Sequence, residues 1–118
     1  MMRQKQVGMI LALLSVLLFV LFCEPVGPEI ERVTADNPSL APGESTLLHC
    51  YVYNPLGAEL TYVWQADLGR IENFGELARW TAPESVTSNL IVTITVTVSD
   101  EWGRMDEESI SLEVKANP

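Results

Sequence analysis

The segment Leu90–Ser99 constrains the fold of this chain more than any other feature, because its side chains alternate in character. Every even-numbered position is apolar, whereas positions 93, 95, 97 and 99 carry threonine or serine. Successive side chains of a strand point to opposite faces, so one face of this segment is apolar and the other is polar. A helix would instead spread the threonines around its whole surface. The pattern therefore predicts a β-strand with one buried face.

Similar short segments recur along the chain, and turns rich in proline and glycine separate them. Ser109–Lys115 repeats the alternation, while Ala41–Glu44 and Asn54–Gly57 have the composition of turns. The other predicted strands are Ile30–Ala35, Thr46–Tyr53, Leu60–Ala66, Gly69–Phe74 and Leu77–Thr81. About seven strands in residues 30–118 predict one all-β domain, a β-sandwich of the immunoglobulin-like type.

The N-terminal residues 1–23 are expected to target the chain to a membrane. Two basic residues precede an uncharged apolar run over residues 7–23, so the rest of the chain should lie on the extracytoplasmic side. Three outcomes stay open: lipid attachment at Cys23, an uncleaved anchor, or cleavage and release. The first two leave the domain anchored to the membrane. Residues 24–29 contain two prolines and a glycine and are expected to form an extended linker.

The distribution of charge limits the classes of partner. All 16 acidic residues but only five of the seven basic residues follow Cys23, which leaves this part with a formal charge near −11. Nucleic-acid binding requires a patch of lysine and arginine, so a nucleic-acid partner is not expected. Attraction to anionic lipid is disfavoured for the same reason.

Side chains capable of catalysis are few, and we do not expect an enzyme. The only histidine, His49, lies on a predicted strand, and no cleft is indicated around it. Calcium is the one cofactor that the sequence suggests, because residues 100–108 are predicted to form a hairpin loop rich in carboxylates, which Asp36 could approach. The candidate ligands are Asp100, Glu101, Asp106, Glu107 and Glu108. A solvated acidic loop is the alternative interpretation.

Aromatic residues supply the candidate binding contacts. Trp64 and Trp80 are expected in the core, whereas Trp102 lies at a polar hairpin tip where its indole would be exposed. Leu48, Cys50 and Val52 share the inner face of their strand. The outer face of that strand would then present three candidate contacts, namely His49, Tyr51 and Tyr53. Packing against neighbouring loops is the alternative for these residues.

Three sequence blocks resemble the bacterial immunoglobulin-like domains of the PKD (polycystic kidney disease repeat) type. They are Tyr62-Val-Trp64 with Gly69 and Ile71, Trp80-Thr-Ala-Pro83, and Ile94-Thr-Val-Thr-Val-Ser-Asp100 with Gly103. Gln65-Ala-Asp-Leu-Gly69 stands where PKD domains usually carry Trp-Asp-Phe-Gly-Asp-Gly. In the N-terminal segment, Val20-Leu-Phe-Cys23 resembles the lipobox of bacterial lipoproteins, with Phe22 in place of a small residue.

The resemblance implies a module that serves adhesion, carbohydrate association or spacing at a cell surface. All three roles stay open, because the fold alone does not fix a function. We expect a non-catalytic binding or adhesion module whose partner is a surface protein or a polysaccharide. One alternative is a structural spacer or subunit of an envelope assembly that pairs through an edge strand. Another is an accessory domain for a secreted hydrolase on a different chain.

Overall fold

The computed structural model describes residues 27–117, which form eight β-strands and no α-helix. The strands are β1 (Glu29–Ala35), β2 (Ser39–Leu40), β3 (Ser45–Tyr53), β4 (Leu60–Ala66), β5 (Arg70–Phe74), β6 (Leu77–Thr81), β7 (Leu90–Asp100) and β8 (Met105–Val114). Within this described part, no helix is long and apolar enough to cross a membrane. The expected targeting segment 1–23, with Cys23, lies outside the described residues.

The strands form two four-stranded sheets. The β3 sheet has the order β1-β3-β6-β5, and the β7 sheet has the order β2-β8-β7-β4. Neighbouring strands are antiparallel, apart from β2 and β8, which pair in parallel. The predicted all-β fold is confirmed, and the two sheets enclose one core in the manner of a β-sandwich.

The core lies between the inner faces of the two sheets. Val92, Ile94, Val96 and Val98 of β7 are at most 1% exposed, as the alternation of that segment predicts. The other buried apolar residues are Ile30, Leu40, Leu48, Cys50, Trp64, Ala78, Trp80, Ala82, Leu112 and Val114. Both sheets contribute to this set, so the core holds them together.

Two buried indoles fix the connections around β5, and their predicted core positions are confirmed. Trp80 Nε1 donates to the Leu68 carbonyl at 2.8 Å, and Trp64 Nε1 donates to the Gly75 carbonyl at 2.8 Å. Gly69 has φ +79°, and a Cβ there would lie 2.7 Å from Trp80 Nε1. A side chain at position 69 would therefore both strain the backbone and displace the indole.

The predicted loop over residues 100–108 is wrong in its second half. β8 begins at Met105, so the connection to β7 is only the turn from Glu101 to Arg104. The alternation in this part of β8 is hidden in the sequence because Asp106 and Glu108, which pair with the inward-facing Val98 and Val96 of β7, are acidic. Asp106 is accommodated there because its Oδ2 accepts a hydrogen bond from Ile30 N at 2.8 Å.

The chain enters the sandwich at one end, which we call the N-terminal pole. β1 begins there opposite the end of β3, since Glu29 pairs with Tyr53. β4 begins at the same pole opposite the end of β7, since Leu60 pairs with Asp100. The turn between β7 and β8 and the connection between β3 and β4 therefore also lie at this pole.

Candidate binding surface

Four side chains form a continuous ladder on the outer face of the β3 sheet. The guanidinium carbon of Arg32 lies 4.0 Å from the centroid of the Tyr51 ring. The Tyr51 ring stacks on the His49 ring, with 6.3 Å between centroids and 13° between planes. His49 Nε2 lies 2.9 Å from Asp36 Oδ1. The cation–π contact, the ring stack and the hydrogen bond hold these side chains in one arrangement.

A β-bulge in β1 places Arg32 in this ladder. Ile30 pairs with Val52 and Arg32 pairs with Tyr51, so Glu31 is the extra residue between them. In a regular strand, residues 30 and 32 would share a face. Because of the bulge, Ile30 points into the core while Arg32 reaches the outer face. Bulges commonly redirect a side chain in this way, and the sequence carries no visible signal for this one.

Apolar side chains extend the ladder across the sheet. Leu77 of β6 pairs with His49 on one side and with Phe74 of β5 on the other. Phe74 is 54% exposed and Tyr53 is 52% exposed. We call the outward-facing set the aromatic face; it consists of Arg32, Asp36, Leu47, His49, Tyr51, Tyr53, Phe74 and Leu77. Sequence analysis proposed His49, Tyr51 and Tyr53 of β3 as contacts but missed Arg32, Phe74 and Leu77, because only the strand register brings those three onto this face.

The basic residues of the domain are concentrated on the outer face of the β3 sheet, which also carries the aromatic face. Arg32, Arg70 and Arg79 lie on the outward positions of the β3 sheet, and they are three of the five basic residues that follow Cys23. In a domain with so large an excess of carboxylates, the arginines therefore concentrate on the face that also carries the exposed aromatic rings. Arginine and tyrosine are enriched at protein interfaces.

Trp102 lies away from this face, at the tip of the turn between β7 and β8, and its side chain is 63% exposed. The guanidinium carbon of Arg104 lies 5.2 Å from the centroid of its ring. Asp100 organises the turn. Its Oδ1 accepts hydrogen bonds from Trp102 N at 3.0 Å and Arg104 N at 2.9 Å, and its Oδ2 accepts one from Arg104 Nε at 2.8 Å. Trp102 thus lies on a turn of the β7 sheet, whereas His49, Tyr51 and Tyr53 lie on β3 of the other sheet.

These contacts determine the protonation of the Asp100 carboxyl. Burial by itself raises its pKa, but the hydrogen bonds from Arg104 and Trp102 and the charge of Arg104 together hold the pKa below its ordinary value. The carboxylate is therefore the stable form in the folded protein, and the turn depends on it.

The predicted calcium ligands occupy different positions on the hairpin. Both Asp100 oxygens accept hydrogen bonds within the turn, and Asp106 accepts them from Ile30 N and Glu107 N. Glu107 points outward toward Thr97, and Glu101 and Glu108 are exposed. Within residues 27–117, no group of three or more His, Cys, Asp or Glu side chains is arranged to hold a metal ion. A calcium site at this hairpin stays a prediction.

Cys50 lies behind the ladder, between His49 and Tyr51 in sequence but on the inner face of β3. It is 5% exposed. Burial, together with the nearby carboxylates of Asp106 and Glu76, raises the pKa of its thiol to about 11. The thiol is therefore protonated at neutral pH and is a weak nucleophile, so Cys50 acts as an apolar residue of the core.

A shallow hollow of about 510 Å³ lies beside β4, away from the aromatic face. Gln65, Asp67, Ile71 and Thr93 are among its lining residues, and none of the predicted binding residues contributes to it. The sequence-predicted contacts therefore belong to open surfaces of the sandwich.

The chain was also compared with known proteins. No model of a known protein family matches its sequence, and no curated protein matches it either.

Proposed function

We propose that this domain is an immunoglobulin-like sandwich. Constant-type immunoglobulin domains combine one sheet of strands A, B, E and D with a second sheet of strands C, F and G. The order β1-β3-β6-β5 corresponds to A-B-E-D, and the order β8-β7-β4 corresponds to G-F-C. The short β2 then extends the second sheet beside β8. The PKD-type resemblance of the sequence blocks supports the same assignment.

In this proposal the domain is held outside a membrane by residues 1–23. The support is the order of basic residues and apolar run in that segment, which favours export of everything that follows. Either lipid attachment at Cys23 or an uncleaved anchor would keep the domain at the membrane surface.

The function that we propose is non-catalytic binding of a surface protein or polysaccharide through the aromatic face. The observation that carries the proposal is the ladder Arg32–Tyr51–His49–Asp36, which is exposed yet already fixed by its own contacts. Aromatic rings fixed in this way bury large area on binding and lose little conformational entropy. The adjacent arginines suit a partner that offers carboxylates or planar groups.

The test is capture of a partner from an envelope extract by the full chain, with Tyr51→Ala and Thr95→Ala variants as matched baits. Thr95 lies on the outer face of the other sheet, so its substitution controls for the general effect of removing a surface side chain from the domain. We expect Tyr51→Ala to lower capture by roughly 10-fold or more, as for an interface hot spot, and Thr95→Ala to leave it unchanged. Equal capture by all three baits would remove the aromatic face as the binding site.

The alternative function, a subunit that pairs through an edge strand, has its own supporting observation. β4 forms an edge of the β7 sheet and has no charged residue in Leu60–Ala66, whereas natural edge strands usually carry charges that prevent pairing. Val63 on this strand is 46% exposed. If the chain pairs through β4, it should sediment as an oligomer, and Val63→Lys should shift it to the monomer. A monomer at all concentrations would exclude self-pairing through β4.

A further inference from the structure

The first described residues pack against the turn between β7 and β8. Pro28 is buried, and Gly27 is so close to this turn that a Cβ on it would lie 2.9 Å from Arg104 Cβ. The chain therefore leaves the sandwich beside the turn that carries Trp102. Only Glu24, Pro25 and Val26 separate Gly27 from Cys23, where the apolar run ends.

This short connection limits the distance between the N-terminal pole and the apolar segment. Four residue steps from Cys23 to Gly27 span at most about 14 Å, even when fully extended. If residues 1–23 attach the chain to a bilayer, the N-terminal pole lies in or beside the headgroup layer. The opposite pole is separated from it by the length of the strands.

The N-terminal pole exposes large apolar side chains that suit such a position. Trp102 is 63% exposed in one connection, and Leu56 is 52% exposed in the connection between β3 and β4. Met105, the first residue of β8, is 66% exposed. At the opposite pole, the exposed side chains of Leu68 and Ile91 are aliphatic. The exposed indole of Trp102 therefore distinguishes the N-terminal pole, from which the chain continues to the apolar segment.

The three tryptophans of the chain also differ in their hydrogen bonds. Trp64 and Trp80 are buried and donate their indole N–H groups to carbonyl oxygens. Within residues 27–117, the indole N–H of Trp102 has no protein acceptor. A ring with an apolar body and a free N–H matches the headgroup region of a bilayer, where tryptophan is enriched.

We propose that Trp102, Leu56 and Met105 insert into the interfacial layer of the bilayer and hold the N-terminal pole against the membrane. This inference rests on the proposed attachment through residues 1–23. It assigns Trp102 to lipid contact and leaves the ladder Arg32–Tyr51–His49–Asp36 of the aromatic face for the partner, while Tyr53 ends β3 at the same pole as Trp102. Glu29, Glu59 and Glu101 surround the same pole, so the preferred surface is zwitterionic lipid and not anionic lipid.

The test uses the full chain reconstituted into phosphatidylcholine vesicles, with or without bromine atoms on the acyl chains. Bromine quenches tryptophan emission only at close range. Since Trp64 and Trp80 are 5% and 0% exposed inside the sandwich, Trp102 is the indole that lipid can reach. We expect brominated lipid to quench the emission of the wild-type chain, and the Trp102→Phe variant to lose most of that quenching.

A matched control moves the indole to the opposite pole. Ile91 is 66% exposed, so Ile91→Trp in the Trp102→Phe background restores an exposed indole far from the proposed contact. This double variant should not regain the quenching. Adding phosphatidylglycerol to the vesicles should weaken the quenching of the wild-type chain, because the acidic pole would be repelled.

Flotation of the same vesicles separates the two hypotheses. If the chain floats with the vesicles but brominated lipid does not quench Trp102, or quenches Ile91→Trp equally, attachment stands and the contact at the N-terminal pole is overturned. If the chain does not float, the attachment itself fails and the contact fails with it. Flotation with quenching that depends on Trp102 supports both.

Discussion

The two outer faces of the sandwich differ in chemistry, although both inner faces behind them contribute to one apolar core. The aromatic face on the β3 sheet carries Tyr51, Tyr53, Phe74 and a fixed ladder of charged and aromatic side chains. The outward positions of β4, β7 and β8 carry no aromatic residue, and most of them bear hydroxyl groups. We call this second surface the hydroxyl face; it consists of Thr61, Thr93, Thr95, Thr97, Ser99, Ser109 and Ser111.

The difference shows which features of the surface the fold requires. Threonine and serine suit the outward side of a strand and form cross-strand contacts such as Thr95–Ser109, whose hydroxyl oxygens are 2.9 Å apart. Such residues explain the hydroxyl face without a partner. Exposed tyrosine and phenylalanine rings add apolar surface in water, so the fold alone does not account for the aromatic face, and the proposed binding would account for it.

The largest expected effect concerns the core that both faces share. Trp80→Ala should lower the free energy of unfolding by about 3–5 kcal/mol, because it removes a fully buried ring from between the sheets. Chemical denaturation would measure it. Trp102→Ala is the matched control, since the same side chain is lost from an exposed turn and the change should stay near 0.5 kcal/mol. Equal losses in the two variants would contradict the described burial.

The inner positions of this fold are more predictable from sequence than its outer surfaces. The alternation in β7 and β3 identifies which residues point inward, because period two is a local property of a strand. Arg32, Phe74 and Leu77 could not be assigned to the aromatic face in this way. Their positions depend on strand register and on the bulge in β1, which are set by pairing between distant parts of the chain.

The acidic hairpin shows a second limit of prediction from sequence. Asp106 lies on an inward position of β8, where an apolar residue is the usual sign of a strand. Its carboxylate is satisfied by Ile30 N, a contact between residues that are far apart in the chain. Because the sequence does not reveal that partner, it predicts a loop where β8 begins. The two-residue strand β2 is too short to show any alternation.

A smaller effect is expected at Cys50, which supports the aromatic face from the inner side of β3. Cys50→Ala should destabilise the domain by about 1–3 kcal/mol, because it leaves a small cavity behind the ladder. In a Cys23→Ser chain, Cys50 is the only thiol, and its alkylation near pH 8 should be slow since the pKa of this buried thiol is raised to about 11. Rapid alkylation of the native protein would mean that β3 faces the other way.

At the hairpin of the β7 sheet, we expect a dependence of stability on pH. The pKa of Asp100 is lower in the folded protein than its unfolded value of about 3.9, so the folded state binds fewer protons. The stabilisation is present above that pH and is lost as the pH falls through the folded pKa. Thermal unfolding from about pH 5 to pH 2 should therefore show a smaller decline for Asp100→Asn than for the wild type. Glu101→Gln provides a charge-matched control, and equal slopes for Asp100→Asn and the wild type would contradict the role of this carboxylate.

The smallest expected effect tests the comparison of the two faces directly. A double-mutant cycle on Arg32 and Tyr51 should give a coupling energy of about 0.5–1 kcal/mol from their cation–π contact. The same cycle on Thr95 and Ser109 of the hydroxyl face should give a smaller coupling energy, of about 0.2 kcal/mol. Unfolding midpoints of the single and double alanine variants supply both values. A measurable coupling on the aromatic face means that the ladder is fixed before any partner arrives, so a partner would not bear the entropy cost of ordering it. A coupling of zero would mean that the rings move independently in solution, and the argument for a preformed binding surface would then rest on exposure alone.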